Sequence, residues 1–292
     1  MTLRMVPESV YGGAGMLQVD VCIEMIFTDR DFIARIDAVA EAGLPAFEFW
    51  GWRNKDLPAI IERQKRHGLA VANLEVDPKV DLLGGESIPA FVQGVREGCR
   101  VARQLGCKCL HTPVQDVPWG PGQPWYAYMG DERQTALHCS QRANVVRALK
   151  AAVPVAEGEG ITLLLEPLNW LVNHAGYFVS SSREGFEILA EVDSPALRLL
   201  CDFYHQQITE GNLINTFTSH VKQMGHVHVA DVPGRHEPGT GEINFLNVLG
   251  AVKRAGYDGY VGLEYEPSAD SLSSMQLIRH IVDQVNLTEP VE

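Results

Sequence analysis

The chain has 292 residues, 46% of them hydrophobic, with 24 basic against 37 acidic side chains and a formal net charge of −13. That balance gives no general attraction to nucleic acid or to an anionic membrane, and no apolar run approaches the ~20 residues a membrane span requires. The first 19 residues lack a secretory apolar core and the six cysteines form no CxxC pair, so a cytoplasmic protein with reduced thiols is expected.

Strand and helix signals alternate along almost the whole length. Residues 19–27 are β-rich and lead, through Asp29 as a cap, into a helix over 32–43. Strands follow at 46–52, 69–77 and 107–114. Their helices fall at 56–68, with Gly68 as C-cap, at 88–106 and, in one or two pieces, at 131–160. The second half places strands at 161–169, 197–205, 225–231 and 260–267, each followed by a helix, at 182–192, 213–224, 245–256 and 272–286. Eight strand–helix units of about 36 residues suit a (β/α)8 barrel. Runs such as 161–165 and 197–201 are apolar enough for a parallel sheet buried on both faces. No GxGxxG follows the first strand, which removes the main reason to prefer an open doubly wound sheet. No linker divides the chain, so residues 1–292 read as one α/β domain, a TIM barrel.

In such a barrel the active site is built where strands end. Four consecutive strands end in ionisable residues: Glu166, Asp202, His228 and Glu264. Each follows a mostly apolar run, and a carboxylate buried alone costs several kcal/mol, so each must be paired or must hold a cation. Three carboxylates and one imidazole make an oxygen-rich set suited to Mg²⁺ or Mn²⁺, with Co²⁺ a further candidate and no organic cofactor implied. The alternative is that each carboxylate pairs separately with an Arg or Lys. His226 shares a strand face with His228, one residue pair deeper, as a core or supporting group. In the first half Glu24, Glu48, Glu75 and His111 also sit in strand contexts, as supporting partners, core ion pairs or a further metal site.

The second half resembles the xylose isomerase-like TIM-barrel superfamily, and within it the hydroxypyruvate isomerase and ketose 3-epimerase group. The matching pieces are Glu166-Pro-Leu-Asn169, Asp202-Phe-Tyr-His205, His226-Val-His228, Arg235-His-Glu-Pro238 with Gly241-Glu-Ile-Asn244, and Glu264-Tyr-Glu-Pro267. The resemblance implies that Glu166, Asp202, His228 and Glu264 bind one divalent cation. It implies that His205 and Arg235 contact substrate oxygens, and that Glu166 and Glu264 double as acid and base. The activity implied is isomerisation or epimerisation of a small sugar or hydroxyketone through an enediolate. Two departures bear on the substrate. Hydroxypyruvate isomerases often carry Gln where this chain has His228, and usually Lys or Arg where it has Glu266. A carboxylate substrate would be repelled by Glu266, which tilts the reading toward a neutral hydroxyketone or short ketose. Hydroxypyruvate isomerase proper is the alternative, and an endonuclease IV-like phosphodiesterase a remote one.

All five tryptophans lie at or beyond the ends of strands two, four and five. The segment 117–128, with Trp119 facing the substrate, is long enough for a lid that excludes water. Exposed aromatics also suit a subunit interface, and a homo-oligomer, dimer or tetramer, is expected.

Overall fold

Eight parallel strands close into a barrel in the order β1 to β8, with β8 hydrogen-bonded back to β1. The computed structural model describes residues 15–114, 132–174 and 177–287. The strands are β1 (Gln18–Cys22), β2 (Ala46–Phe49), β3 (Ala70–Glu75), β4 (Cys109–Pro113), β5 (Thr162–Glu166), β6 (Leu197–Asp202), β7 (Met224–Val229) and β8 (Tyr260–Leu263). Around them lie α1 (Phe32–Glu41), α2 (Leu57–His67), α3 (Ile88–Leu105), α4 (Glu132–Glu159), α5 (Ser182–Val192), α6 (Phe203–Thr209), α7 (Leu213–Ser219), α8 (Phe245–Arg254) and α9 (Ser271–Leu287).

Side-chain alternation sorts each strand into an outer and an inner face. Val19, Val21, Phe47, Leu163, Leu165, Leu199, Val227, Val261 and Leu263 join the buried cluster that the helices cover. Removing such a side chain, as in Leu199→Ala, costs about 2–5 kcal/mol. The intervening residues point to the barrel axis, and many are polar: Asp20, Glu48, Asn73, Glu75, His111, Glu166, Asp202, His226 and His228 are all buried. The outer face thus carries most of the apolar packing against the helices, while the inner face gathers buried polar side chains.

Every expected strand is present, but each ends earlier than its apolar run. At β6 the reason is visible. Asp202 accepts hydrogen bonds from the backbone N–H of Tyr204 (2.7 Å) and His205 (3.4 Å), which caps α6 and turns residues 203–205 from strand to helix. Asp31, not Asp29, sits at the start of α1. Gly68 closes α2 in the left-handed conformation at φ 67°, as its position suggests. The 131–160 region is one helix from 132 to 159. Among the described residues no helix is long and apolar enough to cross a membrane. Cys22, Cys99, Cys107 and Cys201 are buried free thiols.

Candidate metal centre and its surroundings

Glu166, Asp202, His228 and Glu264 converge at the C-terminal mouth of the barrel, with one ligand atom from each lying within 4.8 Å of the others. Sheet register does much of this: Asp202 is level with His228, and His228 with Gly262, two residues before Glu264. His228 Nδ1 lies 3.7 Å from Glu166 Oε1 and 3.6 Å from Glu264 Oε2. Asp202 spends Oδ1 on the cap of α6, while Oδ2 has no hydrogen-bond partner. Glu166 Oε1 and His228 Nδ1 also lack one. Buried polar atoms are ordinarily satisfied, so three orphans close together make a cluster that could hold a cation. Three carboxylates and an imidazole fit a hard divalent ion. Two further possible ligand groups, Glu48–His226–His228 and Cys22–Glu48–Glu264, overlap this one and share its members.

The electrostatics of the cluster pull its members in different directions. Burial, then the charge of Glu166, raises Asp202 from 3.8 to about 7. Burial also opposes charge on His228, but Glu48 and Glu264 outweigh it and hold the imidazolium well above its ordinary value. Glu166 is likewise buried, yet His111 beside it keeps its carboxyl well below the usual range. His111 Nε2 stands 2.6 Å from Glu166 Oε2.

One layer deeper, Glu48 of β2 reaches across the barrel. Its Oε1 lies 2.9 Å from His228 Nε2, and its Oε2 pairs with His226 Nε2 at 3.0 Å and accepts from Asn73 Nδ2 at 3.3 Å. A carboxylate behind a ligating histidine fixes which ring nitrogen faces the metal. Gly262 makes room for this group. A Cβ there would stand 2.7 Å from His228, 3.0 Å from His226 and 3.1 Å from Glu48. Beneath them Asp20 is fully buried, and burial and the charge of Glu48 keep its carboxyl well above the usual range.

A family model described as "Xylose isomerase-like TIM barrel" matches residues 36–281. The chain belongs to that family. A hydroxypyruvate isomerase of Escherichia coli is 31% identical over 273 residues, spanning 89% of this chain and 98% of that protein. Among solved structures, a family 2 AP endonuclease from Brucella melitensis superposes with a TM-score of 0.81 at 24% identity, covering 91% of this chain and 99% of that one. A 3-keto-D-glucoside 4-epimerase from E. coli gives 0.75 at 22%, covering 91% and 99%. At those identities the two structures speak for the fold alone. The isomerase class expected from the sequence is the class the first relative carries.

The remaining expected residues of this family member surround the cluster. His205, 1% exposed at the side chain, has its Nε2 3.4 Å from Asp202 Oδ2. Its Nδ1 accepts from Asn169 N at 3.2 Å and lies 2.7 Å from Asn169 Nδ2. That fixes the tautomer with the proton on Nε2, facing the cluster. Burial holds the ring neutral, well below its ordinary value.

Arg235 pairs with Glu264 and lies over the Tyr204 ring, 5.3 Å from its centroid. It is presented by a tightly made loop. Asp231 accepts from the N–H groups of Val232 (2.9 Å), Gly239 (2.8 Å) and Ile243 (3.1 Å), and Arg235 itself adopts φ 57°. A Cβ on Gly241 would meet the Val232 carbonyl at 2.2 Å, so only glycine fits there. Glu237 closes the loop by accepting from Ser268 N at 2.9 Å.

Trp50 donates from Nε1 to Glu264 Oε1 at 3.1 Å. Glu266 is exposed at the rim, its backbone tied to Arg235 and His236. Trp119 and the 117–128 segment lie outside the described residues. Sequence reasoning left Glu48 and His111 open, named Asn169 only within a matching motif and counted Trp50 only among the tryptophans at strand ends. A charged residue mid-strand was the available signal for the first two, since nothing in the linear order says which strand it faces.

Proposed function

We propose that this chain is a divalent-cation-dependent isomerase or epimerase that acts on a small hydroxyketone or ketose through an enediolate, by carboxylate proton transfer. The observation that carries this reading is the convergence of Glu166, Asp202, His228 and Glu264 with three of their donor atoms unsatisfied. A cation held by those four residues would act as a Lewis acid toward a ketone oxygen and acidify the neighbouring C–H. His205 donates its Nε2 proton to a substrate oxygen, because Asn169 occupies Nδ1. Glu166 and Glu264 take and return the carbon-bound proton on opposite sides of the substrate. His111 steadies the charge on Glu166, and Arg235 and Trp50 orient Glu264. Return of the proton to the adjacent carbon isomerises the substrate; return to the opposite face of the same carbon epimerises it.

The 31% identical E. coli relative supports hydroxypyruvate as a second reading of the substrate, with Arg235 neutralising the carboxylate. A screen of tetroses, pentoses, hexoses and hydroxypyruvate, run with Mn²⁺ in deuterated water, decides between them by product identity. Deuterium at the reacting carbon is expected in every true substrate. Turnover without deuterium uptake, or full activity of the metal-free protein, would sink the proposal.

A further inference from the structure

Past the ends of their strands the chains of β7 and β8 stay tied together. The N–H of Glu264 donates to the Val229 carbonyl at 3.3 Å, and the N–H of Glu266 to the Arg235 carbonyl at 2.8 Å. His236 Nδ1 meets the Glu266 carbonyl at 2.8 Å, and a carbonyl can only accept, so the ring donates. Glu237 then accepts twice from Ser268, at Oε2 from the N–H (2.9 Å) and at Oε1 from the hydroxyl (2.5 Å). The segment 235–237 is thus fastened to 264–268, with Glu237 at its outer end.

Glu237 is an unusual residue to find there. It is 5% exposed, and among the described residues it pairs with no lysine or arginine. Burial opposes its charge, but the bonds from Ser268 outweigh burial and hold its carboxyl below the usual range. Hydrogen bonds to an ionised acceptor are stronger than neutral ones, and two from one residue fix a direction as well as a distance. The proton-transfer scheme above gives this carboxylate nothing to do.

Its place in the loop supplies a task. Asp231 accepts from the N–H groups of Val232, Gly239 and Ile243, which makes the loop rigid within itself but does not fix it against β8. Arg235 stands in that loop at φ 57°, a conformation that a non-glycine residue keeps only where its surroundings impose it. Its guanidinium has to meet Glu264, which belongs to the other segment. Only bonds between the two segments can set that meeting, and Glu237 provides two of them. We propose that Glu237 is a positioning residue, whose clamp on Ser268 holds Arg235 against Glu264. That Glu264 moves a proton rests on the isomerase reading above; the clamp does not.

Two measurements on the Mn²⁺-loaded protein test it. The first needs no substrate. Arginines are labelled with phenylglyoxal and the rate at each is read by peptide mass spectrometry. Glu237→Ala is expected to speed labelling of Arg235 by about tenfold, the worth of a hydrogen bond to a charged group, and to leave the distant Arg103 unchanged. Equal rates at Arg235 in the two proteins, or a matching rise at Arg103, overturn the proposal.

The second is a double-mutant cycle, on whichever of the sugars and hydroxypyruvate screened above turns over fastest. Glu237→Ala is expected to lower kcat by about tenfold or more in the wild-type background, and by less than about twofold once Arg235 is already alanine. A loss of the same size in both backgrounds would make Glu237 a purely structural residue and overturn the proposal. Ser268→Ala removes only the hydroxyl and carries the same expectations at smaller size, so the test survives if Glu237→Ala fails to fold. If nothing in the screen turns over, the isomerase reading fails, and the labelling rates still decide the clamp.

Discussion

At the ends of β1 and β3, Glu24 lies 2.9 Å from Lys55 and Glu75 lies 2.8 Å from Lys79. At the ends of β5, β6 and β8, Glu166, Asp202 and Glu264 face one another and His228 instead. Both halves of the barrel put carboxylates where an apolar strand stops. In the first half a nearby loop supplies a cation, Lys79 after β3 for Glu75 and Lys55 after β2 for Glu24, and the charge is settled by an ion pair. In the second half no lysine among the described residues does so, and Arg235 pairs with Glu264. Charges that find a cationic partner nearby can be structural; charges that converge unsatisfied could hold an ion. Glu48 is the exception that links the halves, since it belongs to β2 but serves His226 and His228 of β7.

This contrast can be broken experimentally. Chelation followed by dialysis should abolish turnover, with Mn²⁺ or Mg²⁺ restoring it, because the second-half cluster has no internal substitute for the ion. Retained activity would reduce that cluster to another set of structural charges. Next in size, Glu264→Gln should lower kcat by about 10²–10⁴, since it removes a ligand charge and a proton carrier together. Arg235→Ala should cost less, seen in steady-state kinetics side by side.

Glu48→Ala sharpens the comparison, because it tests a first-half residue acting on the second. Mn²⁺ affinity by calorimetry should fall by about 10–100-fold, whereas a core carboxylate with no bearing on His228 would leave it unmoved.

The smallest effect is in pH. In the metal-free protein Asp202 is raised to about 7, so the folded state holds its proton more tightly than the unfolded chain does. The sign follows. Its contribution favours folding at low pH and is lost as pH rises through about 7. Cation binding must expel that proton and the one held on His228, so Mn²⁺ affinity should climb with pH, more steeply below about 7 than above it. An equal slope on both sides of pH 7 would mean that Asp202 is ionised before the cation arrives.

Much of this was legible in the linear order. The alternation of apolar strands and amphipathic helices implied the barrel, because period and turn chemistry are local properties. The ends of the last four strands pointed to the four residues that converge, because a charge after an apolar run is anomalous wherever it lies in the fold. His205 and Arg235 followed only from the resemblance. Glu48 and His111 stayed open for a different reason. Each is an ionisable residue in a strand, as Glu24 and Glu75 are, and the four look alike until the barrel closes.

Closure then separates them. Glu48 meets His228 from 180 positions earlier in the chain, and no feature of Ala46–Phe49 announces that meeting. The tautomer of His205 likewise depends on Asn169, which arrives from the preceding strand's loop. The sequence by itself determined the strands, their inner and outer faces and the residue types at their ends, since all of these rest on side-chain periodicity and hydrophobicity. Only the tertiary structure decided which charges pair and which converge, because an electrostatic interaction depends on distances of a few ångströms that sequence separation does not encode.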